Sequence, residues 1–328
     1  MTAYQQLVVI AGAGAIGTAL GQVLAEAGAH VLLHTVEEDV AQNINLNHSN
    51  SKYFPAIRLH PELKATINAE DIREASIVFL AVPSTAVVSY VSSLQPFLNE
   101  NAILVNMAKG FSPERRTIAE ELIEIVPQKV ATLKGPSFAR ELINYVPTSF
   151  TIGSASSSVK DQLYELFEGT CIYTDFTKDV RGVELLSILK NIYAIAAGIV
   201  DAHFDSPNLR FLVLTRAFYE MRAVMLHFGG RKTTMFRYCG YGDFGLTALN
   251  DLSRNRTLGL LIGKGFFTDN ISQKVVLEGK IAANIFCEEL MTHRDLENFP
   301  ILHELYKVFN VPNYDVRGFV DKILQNSR

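Results

Sequence analysis

Short apolar runs alternate with amphipathic segments over the first half of the chain. Five runs of four to six residues are rich in β-branched types, which favours buried strands. They are Leu7–Ala11, Val31–His34, Ile77–Val82, Ile103–Asn106 and Val130–Leu133. Helix-like stretches such as Thr18–Ala27 and Pro113–Ile125 separate these runs. Nearly continuous apolar strands that alternate with helices indicate a parallel sheet covered on both faces.

The pattern changes near residue 183. Before it, Thr148–Ile152 and Cys171–Tyr173 are predicted as later strands. After it, apolar positions recur with helical spacing and form no strand pattern. The predicted helices are Glu184–Val200, Leu209–Phe228, Thr257–Gly265 and Gln273–Leu290. Together with the length of 328 residues, this predicts an α/β domain over 1–183 and an all-α domain over 184–328.

Composition and charge narrow the class of protein. Hydrophobic residues make up 48% of the chain, and the net charge of −4 argues against a nucleic-acid partner. The three cysteines stand far apart without a CxxC, which argues against a disulfide framework and fits a reducing compartment. Neither a basic leader nor a long uncharged apolar stretch is evident. We expect a cytoplasmic protein without a membrane span.

Three glycines carry the clearest motif in the chain. Gly12, Gly14 and Gly17 follow the first predicted strand and open the first predicted helix, which is the context that a GxGxxG dinucleotide fingerprint requires. The first glycine permits a tight turn, the second lets a pyrophosphate approach, and the third allows helix–strand packing. The pyrophosphate would bind at the helix N-terminus. A glycine-rich turn without a ligand is the alternative interpretation.

The end of the second predicted strand bears on the choice between NAD and NADP. His34 and Thr35 stand where an acid often holds the free ribose, and Glu37 and Glu38 follow. Positions 34–39 contain no arginine or lysine that could hold a 2′-phosphate, and the acids would repel one. The acids would also suit an ordinary helix start. The cofactor is therefore expected to be NAD or NADP, with NAD favoured.

One lysine stands in the middle of an apolar helix. Lys190 must reach solvent along its stem, pair with an acid, or line a cavity, because a lone buried ammonium is costly. Burial would lower its pKa and make it a usable proton donor near neutrality. Asp243, in a glycine-dense turn, is the acid that we expect beside it. Sequence reasoning also expects Lys190→Met to preserve the fold, because the surrounding helix is apolar.

Two further segments could bind a substrate. Ser253-Arg254-Asn255 offers a guanidinium fork and an amide, which suit a phosphate. Taken alone, however, arginines such as Arg254 and Arg256 are more often surface charges. Lys109 and the segment 135–139 directly follow predicted strands, at the sheet edge where ligands bind in open α/β folds. The eight histidines form no cluster at metal-ligand spacing, so no metal is expected.

Taken together and in this order, these segments resemble the bacterial-type NAD(P)-dependent glycerol-3-phosphate dehydrogenase family over essentially the whole chain. The matching motifs are Gly12–Leu20, Tyr53–Pro55, Ala81–Ser84, Lys109-Gly110, Gly135–Ala139, Leu189–Asn191, Gly242-Asp243, Ser253–Arg256 and Val276–Gly279. The resemblance implies a Rossmann-like doubly wound sheet for dinucleotide binding over 1–183. It also implies a helical substrate-binding and catalytic domain over 184–328.

The resemblance implies reversible reduction of dihydroxyacetone phosphate to sn-glycerol 3-phosphate, which feeds phospholipid synthesis. It makes Lys190 the proton donor and acceptor, with Lys109, Asp243 and Thr247 as companions. The implied substrate contacts are Lys109, Gly135, Ser137, Asp243, Ser253, Arg254 and Asn255. The implied cofactor contacts are Gly12, Gly14, Ala15, Ile16, Gly17, Lys109, Ala139, Arg254, Val276 and Glu278. A homodimer is compatible with it.

The chain departs from the family pattern at three places. Ala15-Ile16 stands where the family often has Ser-Tyr or Ser-Trp, segment 202–207 replaces a glycine-rich loop, and Phe211-Leu212 replaces small residues. The loop change bears on substrate shape and turnover. Two other functions therefore stay open: a related 2-keto or 3-hydroxy acid dehydrogenase, similar to 2-dehydropantoate reductase, and a dinucleotide-binding sensor that has lost turnover.

Overall fold

The chain forms two compact units, Met1–Glu184 and Leu185–Arg328. The computed structural model describes residues 6–266 and 273–325, and the side chains of residues 273–277 lie outside that description. The predicted boundary at residue 183 falls one position before the last residue of the first unit.

An eight-stranded sheet forms the centre of the first unit, in the order β3-β2-β1-β4-β5-β6-β7-β8. The strands from β1 to β6 pair in parallel, β7 is antiparallel to β6, and β8 is parallel to β7. The strands are β1 (Leu7–Ala11), β2 (His30–His34), β3 (Lys64–Thr66), β4 (Ala75–Leu80), β5 (Ile103–Asn106), β6 (Lys129–Lys134), β7 (Thr148–Gly153) and β8 (Ile172–Thr177).

Both faces of this sheet are covered, as the apolar strands predict. Along β1, Val8 and Ile10 join one apolar cluster, whereas Val9 and Ala11 join another on the opposite face. The helices of this unit are α1 (Ala15–Glu26), α2 (Glu38–Asn47), α3 (Ser84–Leu94), α4 (Ile118–Ile125), α5 (Ala139–Leu142) and α6 (Ser157–Phe167). Side chains of α1, α2 and α6 pack in the first cluster, and those of α3 and α4 pack in the second.

Strand β7, for which the sequence pattern predicts no direction, runs antiparallel to its neighbour β6. A parallel strand would need a crossover long enough to carry the chain back along a six-residue strand, or about 20 Å. The thirteen residues between β6 and β7 could span that distance if extended, but they fold into turns and the four-residue helix α5, which spans about 6 Å. The chain therefore re-enters the sheet from the edge at which β6 ends.

Two differences from the prediction are local. The strand β3 is not predicted by the sequence pattern, because three residues are too few to show a period. Helix α4 starts at Ile118 rather than Pro113, since residues before it form a tight turn with Arg115 at φ 62° and a bridge between Phe111 and Thr117. A turn with positive φ cannot continue into an α-helix at that residue.

All the regular secondary structure that is described for the second unit is helical. Its helices are α7 (Val180–His203, which begins in the first unit), α8 (Pro207–His227), α9 (Asp243–Leu249), α10 (Arg254–Gly263), α11 (Gln273–Thr292), α12 (Pro300–Asn310) and α13 (Phe319–Gln325). Helix α7 is long and apolar enough to cross a membrane, but 94% of its apolar window is buried within the protein. A core helix has this same composition.

Close backbone contact sets α10 against α7. A Cβ on Gly198 of α7 would lie 2.9 Å from the Cα atom of Gly259 in α10, so glycine at both positions lets the helices touch. Asp201 accepts hydrogen bonds from Arg256 at 2.8 Å and from Arg210 of α8 at 2.7 Å. These contacts fix the N-terminal end of α10, where the predicted phosphate-binding residues stand.

Candidate functional site

The glycine-rich turn between β1 and α1 has the form of an anion cradle. Gly12 adopts φ +113°, and a Cβ there would lie 2.8 Å from the carbonyl oxygen of Ala81. A Cβ on Gly14 would meet nothing within 4 Å, so the space beside this backbone is open. Gly14 caps α1 without a side-chain hydrogen bond. The N–H groups at the start of α1 therefore remain available to a pyrophosphate.

A buried asparagine that the sequence reasoning missed supports this turn. The side-chain amide of Asn50 donates to the carbonyl oxygen of Ala13 at 2.9 Å and to the hydroxyl of Thr18 at 2.9 Å. The Thr18 hydroxyl in turn donates to the same carbonyl oxygen at 3.2 Å. The turn is thus held from outside its own segment. No local signal could have identified Asn50, because it lies 37 positions from Ala13.

At the end of β2, the structure adds a cation that the local sequence lacks. Lys52 pairs with Glu37, and both side chains are partly exposed. Beside them, His34 is buried and hydrogen-bonded to the hydroxyl of Tyr90, and its burial lowers the pKa of the imidazole. Positions 34–39 contain no Arg or Lys, but the fold brings the positive charge of Lys52 next to them. Glu37 neutralises that charge.

Lys109, Gly135 and Ser137 come together beyond the ends of β5 and β6. The Lys109 ammonium donates to the carbonyl oxygen of Gly135 at 3.1 Å, and the Ser137 hydroxyl donates to the same oxygen at 3.0 Å. Gly135 has no room for a side chain, because a Cβ would lie 2.8 Å from the Cα atom of Phe150. Ala139 begins α5 and is half-buried. A cation and a hydroxyl thus face one point at the predicted ligand edge of the sheet.

In the second unit, the structure places Asp243 at the ammonium of Lys190. Lys190 is 5% exposed, and its Nζ atom donates to Asp243 Oδ1 at 2.6 Å and to Thr247 Oγ1 at 2.9 Å. The Thr247 hydroxyl donates its own proton to the backbone oxygen of Asp243 at 2.7 Å, which leaves its lone pairs for the lysine. Of the alternatives that the sequence left open for Lys190, the structure shows the ion pair: the ammonium is buried and paired with Asp243.

A wide helical turn presents Asp243 to Lys190. Residues Tyr238–Gly242 form a single π-type turn that runs directly into α9. Gly240 is required there, since a Cβ would lie 2.7 Å from the backbone carbonyl carbon of Met235. Asp243 is the first residue of α9, so its carboxylate is also favoured by the helix dipole. The predicted glycine-dense turn thus places a buried acid.

Two arginines at the N-terminus of α10, Arg254 and Arg256, have different environments. Ser253 caps the helix by accepting the N–H of Arg256 at 3.3 Å. Arg254 is exposed and Asn255 is half-buried at the same end. Arg256 is buried and pairs with Asp201 and Asp251, so the surface-charge interpretation is wrong for this residue. Arg254 is the arginine that is accessible to a ligand.

The remaining predicted positions lie on α11. Glu278 is exposed, and the side chain of Val276 lies outside the described residues. In the part of the chain that the structure describes, no three His, Cys, Asp or Glu side chains gather as a metal site would require. The three cysteines are free thiols.

Comparison with known proteins identifies one family for both units. A family model described as the N-terminus of NAD-dependent glycerol-3-phosphate dehydrogenase matches residues 7–160, and the model of its C-terminus matches residues 179–316. The chain is 34% identical to a glycerol-3-phosphate dehydrogenase (NAD(P)+) of Methanothermobacter thermautotrophicus over 323 residues, which is 97% of this chain and 98% of that one. It is 33% identical to the protein of that name from Halothermothrix orenii, over 93% and 91% of the two chains.

Solved structures show the same fold. The glycerol-3-phosphate dehydrogenase of Coxiella burnetii superposes with a TM-score of 0.88 at 27% identity, covering 98% of this chain and 99% of that one. A ketopantoate reductase of Ralstonia eutropha has a TM-score of 0.54 at 16% identity, which indicates a shared fold only.

Proposed function

The chain belongs to the NAD-dependent glycerol-3-phosphate dehydrogenase family, and we propose that it interconverts dihydroxyacetone phosphate and sn-glycerol 3-phosphate. It is an NAD(P)-dependent oxidoreductase, like the relatives that match it over nearly its whole length. In this chain, the observation that carries the proposal is the buried lysine whose ammonium is held by Asp243 and Thr247.

The turn after β1 suits a dinucleotide. Its open space at Gly14 and the uncapped start of α1 would accept the pyrophosphate, with Ala15 and Ile16 supplying backbone contacts. When bound, the reduced nicotinamide supplies a hydride to the ketone carbon. Further cofactor contacts are proposed for a dispersed set of residues: Gly12, Gly17, Lys109, Ala139, Arg254, Val276 and Glu278.

Lys190 acts as the proton donor in the reduction and as the proton acceptor in the reverse reaction. Reduction of a ketone leaves negative charge on its oxygen, and an adjacent ammonium both stabilises that charge and supplies the proton. Asp243 and Thr247 hold the Nζ atom in one place, so a substrate oxygen finds the donor already oriented. In the reverse direction, the neutral amine accepts the proton of the alcohol.

The phosphate of the substrate is recognised by the N-terminus of α10. Arg254 is exposed there and offers a planar fork that binds phosphate with two parallel hydrogen bonds. Ser253 and Asn255 add polar groups beside it. In the first unit, Lys109, Gly135 and Ser137 are proposed as further substrate contacts.

The finer assignments also belong to this proposal. NAD is expected to be used at least as well as NADP, because Glu37 neutralises Lys52 and repels a 2′-phosphate. The reaction would supply glycerol 3-phosphate to phospholipid synthesis in the cytoplasm. A homodimer is compatible with this function, and light scattering of the purified chain would measure the size of the assembly.

A single set of assays tests the function. Oxidation of NADH and of NADPH by the purified chain is measured with dihydroxyacetone phosphate and, in parallel, with 2-ketopantoate. The proposal expects turnover with the first substrate only. Turnover with 2-ketopantoate alone would assign the chain to the 2-keto acid reductases, and tight dinucleotide binding without turnover on either substrate would indicate a sensor.

A further inference from the structure

Lys134 and Glu184 form a buried ion pair in the first unit, next to the turn that carries Lys109. Neither residue has a role in the proposed chemistry. Lys134 is 0% exposed and Glu184 is 1% exposed, with 3.1 Å between Lys134 Nζ and Glu184 Oε1. Removing two charges from water is costly, and apolar residues of similar volume often give equal or greater stability. The pair therefore requires an explanation beyond stability.

The pair acts on the turn that carries Lys109. The ammonium of Lys134 donates to the carbonyl oxygen of Asn106 at 3.0 Å and also to that of Ala108. The side-chain oxygen of Asn106 accepts the backbone N–H of Ala108 at 3.0 Å. Both polar backbone groups of Ala108 are thus held by buried side chains, and Ala108 immediately precedes Lys109.

Glu184 is the centre of this network. Its Oε1 atom accepts hydrogen bonds from the amide of Asn106 at 2.8 Å and from the hydroxyl of Thr132 at 2.5 Å. Its Oε2 atom accepts the N–H of Ala119, at the start of α4, at 3.3 Å. One carboxylate therefore orients Asn106 and compensates the charge of Lys134, the two side chains that hold Ala108.

We propose that Lys134, Glu184 and Asn106 form a positioning network for Lys109, which fixes the turn 106–109 so that the Lys109 ammonium reaches the Gly135 carbonyl. An apolar pair of the same volume could fill the interior, but it could not donate to the carbonyl groups of Asn106, at the end of β5, and of Ala108. Lys134 and Glu184 do not touch the reacting atoms in this scheme. The inference rests on the proposed function only in taking Lys109 as a substrate contact.

The central test removes both charges at once. Lys134→Met alone leaves Glu184 buried and unpaired and can fail to fold, so Lys134→Met/Glu184→Gln is the informative variant. We expect its melting temperature to fall less than that of Lys134→Met alone, while kcat/KM for dihydroxyacetone phosphate falls at least tenfold. Asn106→Ala, which keeps the ion pair and frees the N–H of Ala108, should cause a similar loss.

Two comparisons separate positioning from a general structural role. Thr132→Val removes the hydrogen bonds of the Thr132 hydroxyl to Glu184 and, at 3.3 Å, to the carbonyl oxygen of Asn106. It leaves in place both side chains that hold Ala108, so kcat/KM should stay within about twofold of the wild type. Introduced into a Lys109→Met background, the double substitution should cause little further loss, because its effect acts through Lys109. Equal losses in both backgrounds, or unchanged kcat/KM in the double variant and in Asn106→Ala, would overturn the positioning role.

Amide hydrogen exchange makes the test independent of the reaction. The double variant and Asn106→Ala should speed exchange in peptides covering 107–110, whereas Thr132→Val should not. If the wild type fails to reduce dihydroxyacetone phosphate, the proposed function is wrong, but faster exchange would still support the positioning of the turn. Unchanged exchange in both variants would refute it whatever the substrate.

Discussion

Lys190→Met tests the proposed proton donor, and the structure changes what the substitution should do to the fold. The sequence places Lys190 in an apolar helix, which suggests that methionine is tolerated. The structure places its ammonium 2.6 Å from a carboxylate oxygen of Asp243, a residue only 1% exposed. Removing the lysine alone would therefore leave a buried carboxylate without its counter-charge, and we now expect the variant to fold with lower stability.

The size of the effect follows from this burial. Breaking a buried ion pair by removing one partner typically costs about 3–5 kcal/mol. For a unit of this size, such a loss lowers the melting temperature by roughly 6–20 °C. Turnover should fall by a factor of about 10²–10⁴, which is the usual contribution of a positioned proton donor.

A second variant separates stability from catalysis. Lys190→Met/Asp243→Asn removes both charges, so much of the lost melting temperature should return while turnover stays low. The assay combines a melting curve, an NADH titration and steady-state turnover for each variant. Dinucleotide affinity should stay close to that of the wild type in both, because the glycine-rich turn belongs to the other unit.

Two results would contradict this reasoning. Turnover near the wild-type rate in a folded Lys190→Met variant would show that the lysine is not the proton donor. A melting temperature that does not fall in that variant would show that Asp243 does not need the ammonium as a counter-charge.

Three further substitutions test other parts of the molecule. Arg254→Ala should raise KM for dihydroxyacetone phosphate by about 10- to 100-fold, as the loss of a charge-assisted contact predicts. Unphosphorylated dihydroxyacetone should be unaffected, and equal losses on both substrates would reject a phosphate contact. Glu37→Gln should free Lys52 and raise the ratio of NADPH to NADH kcat/KM by up to about fivefold. Glu38→Gln serves as its control, and equal ratios in the two variants would exclude Lys52. The buried Glu220 has a pKa that burial raises from 4.5 to about 8. Folding therefore retains a proton that the unfolded chain loses above about pH 4.5, and the free energy of unfolding should fall as pH rises towards about 8. Glu220→Gln should flatten this dependence in urea unfolding measured across that range, and an unchanged slope would exclude Glu220 as its source.

The course of the strands could be predicted where the pattern is long enough to read. The apolar runs locate β1, β2, β4, β5 and β6 to within about two residues, because a strand buried on both faces must be apolar throughout. The direction of β7 could not be predicted in this way. It depends on how the thirteen residues after β6 fold, because an extended connection of that length could have carried the chain back to the opposite edge. Hydropathy does not encode that choice.

In the candidate site too, some residues could be identified from the local sequence and others only from the fold. The glycine turn can be recognised from the sequence, because each of its glycines meets a local requirement for backbone conformation or close approach. Asn50, Lys52 and Lys134 gave no such signal. Each is an ordinary polar residue until the fold brings it to a partner from another segment.

By itself, the sequence determined the alternation that builds the sheet, the turn fitted to a pyrophosphate, and a lysine in the middle of a largely apolar helix. These properties are local, because they depend on the periodicity and backbone freedom of neighbouring residues. The sequence also pointed to Asp243 as the partner of Lys190, 53 positions away, and the structure shows that contact. Only the tertiary structure decided that Lys134 pairs with Glu184 next to the turn that carries Lys109. Whether a buried charge has a partner depends on which distant segments the topology packs together. Without a partner the charge destabilises the fold, and with one it can take part in the chemistry of the site.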